Sequence, residues 1–189
     1  MLAHSQGQVI NYSNLGNSLG VSGHTIKHYL DILEKTFIIR VLKPYFTNEK
    51  KRLVKSPKIY IRDTGLLHAL LMIENINDLL GHPVTGGSFE TLVIENVLKK
   101  YPRHDAYFYR DSSGNEIDLL LINGQEKIAI EIKSSTAPRP EKGFWNAVKF
   151  LNPSKKIMIA QVDSSYPGEN GIWVTNLDEF LSIDTLEVS

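Results

Sequence analysis

Three residues stand out as able to do chemistry: Asp118, Glu131 and Lys133, two carboxylates and an ammonium spaced Asp-x12-Glu-x-Lys. Carboxylates suit a hard divalent cation, Mg²⁺ or Mn²⁺, and Mg²⁺ takes one or two of them together with water and phosphate oxygens. Such an ion polarises a phosphodiester and lowers the pKa of a bound water. An ammonium beside it would position that water or stabilise the charge that develops on the phosphate. The spacing alone is weak evidence, because the outer face of a hairpin is ordinarily polar and simply solvated.

The elements around these residues sharpen the reading. Asn123-Gly124 lies between two apolar runs, the pattern of a type I′ hairpin turn. With those residues as the turn centres, Ile122 faces Gln125, Leu121 faces Glu126, Leu119 faces Ile128 and Ile117 faces Ile130. Asp118 then lies opposite Ala129, and Glu116 opposite Glu131. Alternation puts Glu116, Asp118, Glu131 and Lys133 on one face, with Ile128, Ile130 and Ile132 on the other. Asp118 and Glu131 become diagonal neighbours, their Cα atoms roughly 7–8 Å apart. Like charges directly opposed cost roughly 0.2–1 kcal/mol, a cost that a cation between them would relieve.

Strands are predicted over 106–110, 116–122 and 126–133, after an amphipathic helix marked by Phe89, Leu92, Val93, Val97 and Leu98. A helix over about 140–151 and a buried strand over 156–162 follow, then a strand at 172–174 and a helix at 177–181. The order αβββαβ, with a helical crossover, indicates an α/β unit with a mixed sheet, within a chain that is α+β overall.

The first 65 residues read differently. Ser13 caps a helix that Gly20 stops; Ser22 caps a second, with Ile26, Tyr29, Leu30 and Leu33 on its apolar face. Two β-rich runs, 37–42 and 58–61, flank a loop carrying Lys50, Lys51, Arg52 and Lys55. Helix, tight turn, helix and two strands make a winged helix-turn-helix over about residues 8–62. His24, Thr25 and Lys27 on the second helix, with the loop's Lys50, Lys51, Arg52 and Lys55, are the candidate DNA contacts, giving salt-dependent affinity. Winged helices also serve as packing modules. Helices near 63–71 and 75–80 link the two parts, and the broken periodicity at Gly81–Gly87 marks the boundary. The expected organisation is therefore a winged helix over 1–65, a helical linker over 66–85 and an α/β domain over 86–189. Charge follows the same split: residues 1–65 hold ten Lys/Arg against four Asp/Glu, and the remainder eleven against seventeen.

Asp118 followed by Glu131-Ile132-Lys133 resembles the PD-(D/E)xK motif of the restriction-endonuclease-like superfamily, whose core is also αβββαβ. Gly114-Asn115-Glu116-Ile117-Asp118 is similar to the Gly-x-Glu-(Ile/Val)-Asp run of bacterial nuclease-like families, with Ile117 where the motif's proline stands. Gly86-Gly87-Ser88-Phe89-Glu90 looks like that superfamily's first helix, which implies Glu90 as a further metal ligand, with Glu95 as the fallback. The whole chain, through Lys58–Leu66 and the Phe89–Glu95 stretch, resembles the C-terminal region of bacterial and archaeal AAA-type ATPases. The resemblance implies a catalytic set of Glu90, Asp118, Glu131 and Lys133, a Mg²⁺ or Mn²⁺ cofactor, DNA as a partner, and a preceding ATPase domain. A nuclease fold without turnover, regulating the ATPase, is the alternative; a winged-helix regulator is a third.

Other chemistries find little support. With no cysteine, disulfides and thiolate metal sites are ruled out. No apolar run approaches the ~20 residues that span a bilayer, and residues 1–6 lack the features of a secretory signal, so the default expectation is cytoplasmic. Residues 81–88 have Gly87 where a phosphate-binding loop needs its lysine, so no ATP site is expected. The six histidines form no cluster with metal-ligand spacing. Oligomeric state is not legible.

Overall fold

Side-chain caps set the first helices. Asn11 accepts the Asn14 N–H at 3.0 Å and starts α1 (Tyr12–Leu19), which ends on Gly20 in the left-handed region. The start is thus Asn11, and Ser13 lies inside the helix. Ser22 accepts the Thr25 N–H and starts α2 (Gly23–Lys35), as the sequence indicated; it buries Ile26 and Leu30. The computed structural model describes residues 1–46 and 53–182. The chain divides into two units, Met1–Lys43 with Ser56–Leu92, and Pro44–Lys55 with Val93–Ser189.

In the first unit, β1 (Ile39–Pro44) and β2 (Lys58–Ile61) pair antiparallel, Ile39 with Ile61 and Val41 with Ile59. The N-terminal segment reaches the far side of β2: Gly7 N–H donates to Ile59 O and Ile10 N–H to Pro57 O. Asp63 caps α3 (Thr64–Leu70) and Asn75 caps α4 (Ile76–Gly81). Ala3, Ile26, Leu30, Ile39, Ile59, Ile61, Leu67 and Val84 form one core. The helices expected as a linker are therefore part of this unit. So is the first half of α5 (Thr85–Lys100), in which Gly86 and Gly87 are helical and do not make the expected break in the chain's periodicity. A Cβ on Gly87 would stand 3.1 Å from the Gln6 backbone oxygen, so glycine here permits close helix packing rather than a turn.

In the second unit, β3 (Asp105–Arg110), β4 (Glu116–Asn123) and β5 (Glu126–Lys133) run antiparallel in that order. The chain crosses through α6 (Lys142–Leu151) to β6 (Lys155–Ala160), parallel to β5. β8 (Trp173–Thr175) continues parallel to β6, β7 (Tyr166–Pro167) closes antiparallel on β8, and α7 (Leu177–Ser182) follows. This is the mixed sheet with helices that the element order implied. α6 buries Phe144, Ala147 and Leu151 against Leu120, Ala129 and Met158 of the sheet. The segment 44–55 belongs here: Tyr45 N–H donates to Phe108 O at 2.7 Å and Val54 N–H to Arg110 O at 3.1 Å. The expected wing thus has residues on β3; Lys50, Lys51 and Arg52 lie outside the described residues.

Candidate active site

The hairpin that carries the site turns one residue later than expected. Leu119 pairs with Ile130, Leu121 with Ile128 and Asn123 with Glu126, so Gly124-Gln125 are the centres. Gly124 has φ 60° and Gln125 is not in the positive region, the pattern of a type II′ turn with glycine first. Sliding the centre by one shifts each partner by two, and a shift of two preserves both faces. The expected pairings Leu119–Ile128, Ile117–Ile130 and Leu121–Glu126 are therefore wrong, while the facial assignment survives. Continued by one step, the register sets Asp118 across from Glu131 rather than diagonal to it. Glu116 lies opposite Arg110, with which it forms an ion pair at 3.6 Å.

Asp118 Oδ2 accepts the Ile132 N–H at 2.9 Å, a carboxylate standing where a strand carbonyl would otherwise accept. Glu131 is 5% exposed. Its Oε1 lies 3.0 Å from Lys133 Nζ, which is also 3.0 Å from Glu141 Oε1 at the start of α6. Burial pushes the Glu131 carboxyl up to about 8, with Asp118 adding repulsion; the Lys133 ammonium opposes both without prevailing. Burial works against the Lys133 charge too, but Glu131 and Glu141 outweigh it and hold its pKa above the usual lysine value.

The loop before β4 fixes this geometry. Asp111 is buried and accepts the Ser113 and Asn115 N–H groups and the Asn115 side-chain amide, while Gly114 takes φ 80°. Asn115 Oδ1 accepts from Asn146 of α6 at 2.9 Å. A Cβ on Gly143 would meet Gly114 O at 3.1 Å. α6 is thereby seated on the start of β4, and its first residues reach Lys133. Asp111 was missed in the sequence, although an Asp four residues before Asn, with Ser-Gly between, is a recognisable turn pattern.

Glu90 is differently placed. It sits in the first unit, its Oε1 accepting from Tyr60 at 2.7 Å and from Lys58 at 3.3 Å. Among the described residues, no three or more His, Cys, Asp and Glu side chains form a group that could hold a metal ion, so neither Glu90 nor Glu95 completes a three-carboxylate set. Glu90 belongs to the first unit, and Asp118 and Glu131 to the second. Lys58 and Tyr60, both buried on β2, supply the partners the Glu90 carboxylate needs.

Of the candidate DNA contacts, His24 and Lys27 are exposed on α2 and Lys55 is exposed in the segment before β2. Thr25 is committed to the helix cap through Ser22 Oγ at 2.8 Å.

Residues 1–77 match the model of a domain of unknown function, DUF8612, and residues 85–180 that of another, DUF4143. The chain belongs to the DUF4143 family. Its DUF4143 region contains Asp118, Glu131 and Lys133 together. An uncharacterized protein of Mycobacterium tuberculosis is 32% identical over 187 residues, 99% of this chain, and its Mycobacterium bovis counterpart is equally similar. The chain spans 42% of each of these relatives. An uncharacterized protein of Haemophilus influenzae is 39% identical over 70 residues, covering 34% of this chain and 18% of its own length. No solved structure matches. No helix among the described residues is long and apolar enough to cross a membrane.

Proposed function

We propose that the DUF4143 region is a divalent-cation-dependent phosphodiesterase site acting on nucleic acid. The observation that carries this reading is the juxtaposition of Asp118, Glu131 and Lys133 on one sheet face, at the edge of the helix that covers it. Two carboxylates suit Mg²⁺ or Mn²⁺, which needs no third protein carboxylate. Asp118 and Glu131 would hold the ion. When bound, it would polarise the phosphate and lower the pKa of a water. Lys133 offers an ammonium to the phosphate; its exposed partner Glu141, 78% accessible at the side chain, is the contact an incoming anion can replace. Membership of a family associated with AAA-type ATPases, and relatives more than twice this chain's length, support an ATPase domain elsewhere in the full protein. Exposed His24 and Lys27 make α2 the face for non-specific duplex contact.

A second reading, a binding module of the same fold without turnover, is favoured by one observation: Glu90 is held by Lys58 and Tyr60. The deciding experiment titrates Mg²⁺ and Mn²⁺ against DNA and RNA substrates, with Asp118→Ala as the control. Metal-dependent cleavage abolished by Asp118→Ala is expected. Metal binding without cleavage at any concentration would transfer the conclusion to the second reading.

A further inference from the structure

Beside the candidate site, the second unit contains a cavity of about 790 Å³ lined by Trp145, Tyr166, Arg139, Pro138, Pro140 and Pro167, among others. Its relation to the site is covalent. Lys133 ends β5, the chain then runs through Pro138, Arg139 and Pro140, and Glu141 returns to Lys133 at 3.0 Å. One wall of the cavity is therefore the loop that closes back on the candidate active site. Trp145 stands one turn into α6, its ring held edge-on against Phe144 at 5.2 Å. Tyr166 comes from β7 and is 41% exposed.

We propose that this cavity receives an unpaired base, so that the substrate of the adjacent site is single-stranded or frayed nucleic acid. This rests on the phosphodiesterase reading above. The aromatic surfaces of Trp145 and Tyr166 give a base two places to stack, and every base has a π-face. In a duplex those faces are covered by neighbouring pairs, so only an unpaired nucleotide offers one. Arg139, exposed and two residues before Glu141, takes the phosphate on the side leading to Lys133. The prolines stiffen the walls without adding charge. Glu169 is also in the lining, three residues after Tyr166 in the chain. A proline-rich peptide could also use aromatic walls, but it has no use for a guanidinium leading toward an ammonium.

The test measures binding of labelled single-stranded DNA and RNA, and of the matching duplex, to the 189-residue chain in EDTA. Single strands should bind more tightly than duplex. Tyr166→Ala and Trp145→Ala should each weaken single-strand binding about 10-fold while leaving duplex affinity little changed. Arg139→Ala should flatten the salt dependence of single-strand binding. Trp145 packs on Phe144, so Tyr166→Ala and Arg139→Ala, both at exposed side chains, keep the test sound if Trp145→Ala unfolds. Unchanged single-strand affinity in the Tyr166 variant, an equal loss of duplex and single-strand affinity in that variant, or preferential capture of a proline-rich peptide would each overturn the proposal. Because EDTA removes the metal, these outcomes are independent of cleavage. A chain that binds single strands but never cuts them loses the phosphodiesterase reading and keeps the groove.

Discussion

Glu131 is the residue on which most depends. In the unfolded chain its carboxyl titrates near the ordinary 4.5; in the native state, without metal, it keeps its proton up to about 8. Between those values the native state binds the extra proton, so stability falls as pH rises through that window. The contribution is fully present below 4.5 and lost as pH passes about 8. Lys133, held above its ordinary 10.5, changes stability only at higher pH. Urea denaturation in EDTA at pH 5 and pH 8 should show wild type weaker at the higher pH, and Glu131→Gln with that loss removed. A Glu131→Gln variant that retains the full pH 5-to-8 loss would place the titrating group elsewhere. The pairing of Asp118, Glu131 and Lys133 was legible because strand periodicity survives a slide of two. Glu90 was not legible, because its partners Lys58 and Tyr60 come from a strand about 30 residues earlier, which no local pattern reveals.

At the scale of elements, caps and turns carry the most information. Ser22 and Gly20 sit where their chemistry indicated, since Ncap oxygens and left-handed glycines act locally. The Asn-Gly signal correctly marked a hairpin yet misassigned its centre, because types I′ and II′ both welcome that glycine, at different positions. Gly87 misled in the opposite direction. It looked like a break and proved to be a contact glycine in α5, the kind of role that only the packing partner discloses. Gly16 has a similar role within α1, where it lies against the turn that leads to α2. A Cβ there would come within 2.6 Å of the Val21 carbonyl oxygen, a backbone atom that cannot swing aside. Gly16→Ala should destabilise the first unit by about 1–3 kcal/mol, read from the urea midpoint. A change below a few tenths of a kcal/mol would mean that the turn opens freely.

At the scale of the molecule, the units are not consecutive stretches of sequence. The first is built from 1–43 and 56–92, and the segment between them serves the second. The expected boundary at residue 86 would therefore cut α5 and discard the backbone partners of Phe108 and Arg110. A fragment starting at residue 86 should aggregate or melt well below the full chain, since β3 would present an unpaired edge. Light scattering and a thermal melt decide this; a monodisperse fragment with the parent's melting temperature would show that residues 44–55 are dispensable.

The same interleaving imposes an order on folding during synthesis. A ribosome delivers β1 and β2 early, but the first core lacks Val84 until the chain has grown past the start of α5. Residues 44–55 must wait longer, because their partners on β3 are translated only at 105–110. At 5–20 residues per second, typical of synthesis, that interval lasts several seconds. Throughout it Tyr45 and Val54 lack their partners on β3 while the lysine-rich sequence between them is already translated, a window in which a chaperone or a polyanion can meet it first.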